Sequence, residues 1–183
     1  VYNGVSAVEE IEYAKSLGIE VVVTDHHMPQ QTLPDCIVVD PHRKDCPSKF
    51  KEICGAFVAL KLVAALEGGE YEMVIEQYGD LAAIATLGDV VPLVEENRVI
   101  VKLGIKALLQ TDKIGLLELI NACYSDEIKL DATAVSFGIV PRINAAGRMG
   151  SADRAVRLLL TEDENEAREL SSEICRENEN RKN

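Results

Sequence analysis

The sequence predicts an α/β fold: a short parallel sheet, a large helical portion and a C-terminal connector helix. Three observations predict it. Two β-branched runs, Ile19-Glu-Val-Val-Val-Thr24 and Cys36-Ile-Val-Val-Asp40, are short and nearly continuous in apolar residues, the pattern of parallel strands buried on both faces. Helical periodicity precedes the first run and dominates everything after Asp40. The last stretch is strongly charged, with Ala167, Leu170 and Ile174 as its few apolar positions, which reads as a connector whose other contacts lie elsewhere.

Each element follows from its residues. Ser6-Ala-Val-Glu9 has capping-box spacing, with Ser6 as N-cap. Val8, Ile11, Ala14 and Leu17 then repeat at helical spacing, and Gly18 closes the helix. The two apolar runs are the strands, and Pro41 to Glu52 is polar loop. Cys54 to Leu66 is a buried helix stopped by Gly68-Gly69. Tyr71 to Leu87 forms one or two helices, broken by Gly88-Asp89-Val-Val-Pro92. Glu95 to Leu109 and Ile114 to Tyr124 are further helices. Asp131 caps Ala132 to Ile139, Ser151 caps a helix through Leu160, and Thr161-Glu-Asp-Glu164 is a second capping box opening the terminal helix. This divides the chain into 1–130, the sheet-bearing part, and 131–183, an arginine-containing segment with the connector. A first residue of Val and a polar, unterminated end predict a piece of a longer protein.

Composition narrows the function. The chain has 183 residues, 47% hydrophobic and 27% charged, an ordinary globular mix that excludes disorder. No apolar run approaches bilayer length. The five cysteines are scattered, with no CxxC pair; reduced thiols in a cytoplasmic protein are the reading, rather than a zinc cluster. A net charge of −12 argues against a general electrostatic grip on nucleic acid, while leaving room for a local basic site.

Three motifs carry chemistry. Asp25-His26-His27 follows a Val-rich strand directly, and open parallel sheets bind ligands at the carboxyl ends of their strands. Imidazole and carboxylate together suit Mn²⁺, Fe²⁺ or Zn²⁺; the bland alternative is a solvated loop. Asp89, between a small-residue helix and an apolar stretch, is either a cap or turn residue or a ligand from a separate element. Pro141-Arg142-Ile-Asn144-Ala-Ala-Gly147-Arg148 concentrates basic residues among small ones in an acidic chain. Arginine forks suit phosphate oxygens, and the alternative is surface ion pairing. Cys54-Gly55-Ala56 opens a helix, where packing is the simpler reading than phosphate binding.

Together these segments, with Asn3-Gly-Val-Ser6 and Cys54-Gly-Ala-Phe-Val-Ala-Leu-Lys61, resemble the DHH phosphoesterases, and among them the single-strand-specific exonucleases. The resemblance covers essentially the whole chain. It implies a truncated DHH domain and a two-metal phosphoesterase, using Mn²⁺ or Mg²⁺, that removes nucleotides from the 5′ end of single-stranded DNA. By position, His26 and Asp89 match metal ligands, and Asp25 matches the residue supporting the histidine pair. His27 matches a residue near the metals and the scissile phosphate. Arg142, Asn144 and Arg148 match a segment facing the DNA backbone. Two departures stand out. The family's aspartate-rich first motif would precede Val1, and Tyr2 stands where a metal-bridging aspartate is expected, so the piece alone is expected to hold an incomplete site. A DHH enzyme acting on short oligonucleotides or cyclic dinucleotides, and a degenerate non-enzymatic module, remain alternatives.

Overall fold

The computed structural model describes residues 4–124, 129–148 and 152–182. It is mostly helical, with one two-stranded parallel sheet. A 3₁₀ turn at Gly4–Ser6 leads into α1 (Val8–Ser16), then β1 (Val22–Thr24) and β2 (Ile37–Val39). The strands pair with Val22 opposite Ile37, Val23 opposite Val38 and Thr24 opposite Val39. The crossover between them, residues 25–36, contains no helix.

The sheet departs from the expectation of burial on both faces. Val23 and Val38 point inward, joining Val5 and Ile11 in a small core, but Val22, Ile37 and Val39 are exposed. The strands are also shorter than the β-branched runs, because only three residues of each find a ladder partner.

Six helices and a composite rod follow. They are α2 (Gly55–Leu66), α3 (Tyr71–Gly88), α4 (Glu95–Leu108) and α5 (Ile114–Cys123). Next comes a rod made of α6 (Ala132–Ala134), a π-helical segment (Val135–Ile139) and α7 (Val140–Arg148), followed by α8 (Asp153–Leu160) and α9 (Glu164–Lys182). Residues 71–88 form one continuous helix. Gly68 and Gly69, with φ of +73° and +94°, reverse the chain between α2 and α3, a conformation open to glycine at no steric cost. Helices α3 and α4 cross in close contact, so a Cβ on Gly104 would stand 2.1 Å from the Gly79 carbonyl oxygen. One apolar core, from Ile53 through Leu116 and Ile139 to Ile174, is shared by α2–α9 and crosses residue 130.

The caps show where local sequence rules were overridden. Asp131 caps as expected, its carboxylate accepting the Ala134 N–H at 3.0 Å. Ser6 does not cap α1: it lies in the 3₁₀ turn closed by Ala7 N–H to Gly4 O, and α1 starts without a side-chain cap. At α9 the cap is Asp163, not Thr161 with Glu164. Its Oδ1 accepts the N–H groups of Asn165 (2.8 Å) and Glu166 (2.9 Å), and a carboxylate at that end also complements the helix dipole. Ser151 lies outside the described residues.

Pro141 does not end its helix. It has no N–H and its ring crowds the carbonyl four residues back, and the backbone widens into the π segment just before it. Side chains take up carbonyls of the segment. Arg142 Nη1 donates to Gly138 O at 2.9 Å, and the Tyr124 hydroxyl donates to Ala134 O.

Candidate metal centre

The site grows from the carboxyl end of β1. Asp25 is wholly buried there. Its Oδ2 accepts the Val5 N–H at 2.8 Å. Its Oδ1 accepts the N–H groups of His26 (2.7 Å) and His27 (3.1 Å) and the His27 ring at Nδ1 (2.7 Å). Gly4 lets Val5 come so near: a Cβ at Gly4 would meet Val23 Cγ1 at 2.8 Å. Burial alone would raise the Asp25 carboxyl; the Val5 amide, the His27 ring and the His27 and His26 amides outweigh it and bring its pKa down to about 2. Asp25 is therefore an anion at neutral pH, and an anion only accepts. The His27 Nδ1 facing it therefore carries a proton and donates.

Asp89 arrives from the helical half. It is the C-cap of α3, its N–H bonding to Ala85 O at 2.9 Å, so the alternative of an N-cap is excluded. Its Oδ2 lies 3.5 Å from His26 Nδ1, beyond a good hydrogen bond. The loop after it is held tightly. Val90 has φ of +56°, a strained backbone for a β-branched residue. Buried Asn97 on α4 donates to Pro92 O (2.9 Å) and to Glu52 O, clamping this loop to the one leading into α2. Thr86, one turn earlier, bonds to Ala82 O (2.7 Å) and contacts Cys54 Sγ (3.4 Å).

Asp25, His26 and His27 present ligand atoms within 4.8 Å of one another, with the two imidazoles tilted at 49° and their centroids 4.4 Å apart. Both Asp25 oxygens are engaged by hydrogen bonds, an arrangement suited to a carboxylate that orients metal-ligating histidines. His26 and Asp89, from separate elements and not bonded to each other, form a donor pair that fits a divalent cation of the Mn²⁺ or Mg²⁺ kind.

The arginine segment is placed differently. Helix α7 begins beside the metal cluster, since Val140 methyls lie 3.3 and 3.5 Å from a Cβ position at Gly88. Yet Arg142 turns inward, half-buried, its Nε donating to Cys175 Sγ at 3.2 Å on α9. Asn144 is exposed. Arg148 ends α7; its side chain, like Tyr2, lies outside the described residues.

Several contributors escaped the sequence reading. Asn97 gave no motif. Val5 acts through its backbone, 20 positions from Asp25. Asp40 is a second buried strand-end carboxylate, bonded by the His42 N–H at 2.7 Å; its place at the end of the β2 run was the available signal.

Residues 1–86 match the DHH family, N-terminal domain. RecJ of Bacillus subtilis (strain 168), a single-stranded-DNA-specific exonuclease, is 44% identical over 182 residues, which is 99% of this chain and 23% of the relative. The Escherichia coli (strain K12) RecJ is 36% identical over 195 residues, covering all of this chain and 34% of the relative. The crystal structure of Thermus thermophilus RecJ in complex with Mn²⁺ superposes with a TM-score of 0.85 at 39% identity, over 98% of this chain and 27% of that one. A Mg²⁺ complex of the same Thermus protein also matches, with a TM-score of 0.75 at 39% identity over 90% of this chain and 25% of that one. The chain thus spans about a quarter to a third of the curated relatives' length. Residues 1–86 thus resemble the DHH N-terminal domain, and similarity to the RecJ exonucleases runs along essentially the whole chain.

Proposed function

We propose that this chain contributes the strand-end metal cluster of a metal-dependent 5′→3′ exonuclease of single-stranded DNA. The observation that carries the reading is the convergence of Asp25, His26, His27 and Asp89 from two distant elements, in a chain similar to RecJ throughout. Bound Mn²⁺ or Mg²⁺ would supply Lewis acidity, lowering the pKa of the attacking water and stabilising the leaving oxygen. His26 and Asp89 hold the cation. Asp25 fixes the tautomer of His27, so that its Nε2 faces the scissile phosphate. Asn144 and Arg148 contact the DNA backbone, and Arg142, seated on α9, holds the helix that presents them. Further ligands would come from outside the described residues.

The test is a graft. This chain replaces the matching segment of the Bacillus subtilis RecJ, and Mn²⁺-dependent nucleotide release is followed from 5′-labelled and 3′-labelled single-stranded DNA. Progressive loss from the 5′ end, abolished by His26→Ala, is expected. Wild-type turnover in His26→Ala contradicts the ligand role. A folded, Mn²⁺-binding graft that leaves DNA intact but cleaves a short oligonucleotide or cyclic dinucleotide contradicts the substrate.

A further inference from the structure

Of the five cysteines scattered in sequence, two come together in space. Cys123, the last residue of α5, lies beside the sulfur of Cys175 on α9. The same sulfur accepts the Arg142 guanidinium, Nε to Sγ 3.2 Å. Both thiols are half-buried and free. Two sulfurs and a fixed cation from three helices thus meet at one point. The two thiols have no part in the proposed cleavage chemistry.

We propose that Cys123 and Cys175 are a peroxide-sensitive dithiol, Cys175 the nucleophile and Cys123 the resolving thiol, whose oxidation staples α5 to α9 and removes the sulfur anion on which Arg142 is seated. The surroundings divide the roles. The Cys123 hydrogen bond draws the Cys175 pKa down; burial resists this, and Arg142 adds to it, giving a value of about 6. Donating that hydrogen bond, and being buried, pushes the Cys123 thiol up, so it keeps its proton. The groups facing the pair are Arg142, with Tyr124 beside Cys123 and Glu179 beside Cys175.

The chemistry balances in two steps. The Cys175 thiolate attacks one oxygen of hydrogen peroxide; the O–O bond breaks, and the leaving hydroxide takes a proton to become water. Cys175 is now a sulfenic acid. The Cys123 sulfur attacks it, the S–O bond breaks, and the hydroxide leaves with the Cys123 proton as a second water. Two electrons pass from the sulfurs to the peroxide, and two thiols plus one peroxide give one disulfide and two waters.

The test needs no variant at its core. The folded chain is exposed to hydrogen peroxide, its remaining thiols are alkylated, and it is digested and mapped by mass spectrometry without reduction. A Cys123–Cys175 disulfide is expected before any oxidation of Cys36 or Cys46. Cys123→Ser should stop at a dimedone-trappable sulfenic acid on Cys175, and Cys175→Ser should leave Cys123 unmodified. At pH 6, iodoacetamide should alkylate Cys175 about 10-fold faster than Cys36 or Cys46, the larger thiolate fraction being partly offset by lower intrinsic nucleophilicity. Arg142→Gln should slow that alkylation. Disulfides spread among all five cysteines, a sulfenic acid that persists in the wild-type chain, or equal alkylation rates would each overturn the proposal.

Discussion

At the carboxyl end of the sheet, the key carboxylate is held by its own neighbours. Asp25 bonds to His26 and His27, one and two residues away, and to a single amide from the opening turn. In the helical half, the comparable polar cluster is assembled from afar: Arg142 meets Cys175 across 33 positions and Cys123 joins from a third helix. Both clusters place an ion where burial opposes it, and both stabilise that ion with hydrogen bonds. The difference lies in what holds the geometry. The first is dictated by a tripeptide on a strand end and tolerates changes in the helices. The second exists only if α5, α7 and α9 pack correctly.

That contrast can be broken or sharpened by substitution. The largest effect is expected from Asp25→Asn, which puts an NH₂ group against donors that need an acceptor. With Asp25 in the proposed orienting role, Mn²⁺ affinity should fall about 10- to 100-fold, as for residues that orient ligating histidines. Calorimetric titration measures this, and an unchanged affinity would strip Asp25 of its orienting part.

Next in size is an acid transition of the metal-free chain. The folded Asp25 pKa of about 2 lies below its unfolded value of 3.8, so its contribution is complete above pH 4 and is lost as pH falls through 2. The shift corresponds to roughly 2 kcal/mol. Urea unfolding at stepped pH, with chelator present, should show that loss in the wild type and a flatter curve in Asp25→Asn.

Smaller is Arg142→Ala, which removes the contacts to Gly138 O and Cys175. A loss of about 1 kcal/mol is expected, with Mn²⁺ affinity unchanged; a matching fall in metal affinity would join the two regions that the comparison separates. The caps give the finest contrast. Asp163→Ala should cost about 1 kcal/mol, whereas Ser6→Ala, which removes no cap, should stay within about 0.5 kcal/mol, both read by thermal unfolding.

The same contrast explains what was legible in the sequence. Asp25-His26-His27 could be read because its hydrogen bonds are local and its strand is apolar without interruption. Asp89 could be nominated but not placed, since its meeting with His26 depends on how α3 docks, on the clamp from Asn97 and on the strained turn at Val90. The helices were legible from periodicity, as at Tyr71–Gly88, but their caps only in part: Asp131 caps where it was read, whereas Ser6 and Thr161 do not. Ser6 lost its role to a 3₁₀ turn pinned by the Val5–Asp25 bond, and Thr161 lost its own to the better-placed Asp163. The inward turn of Arg142 was invisible, because its sulfur partner lies on another helix and neither cysteine belongs to a motif. The two-sided burial expected of the strands failed for a related reason: Val22, Ile37 and Val39 have no covering element among the described residues.

The central claim is that His26 and Asp89, brought together from β1 and α3, hold a divalent cation. The most direct measurement is an electron paramagnetic resonance titration of Mn²⁺ into the chain and into its His26→Ala and Asp89→Ala variants, with folding verified by circular dichroism. The account predicts that the free Mn²⁺ signal is quenched by the parent chain and that each variant, still folded, weakens that binding at least about 10-fold. Equal quenching by all three folded proteins would contradict it.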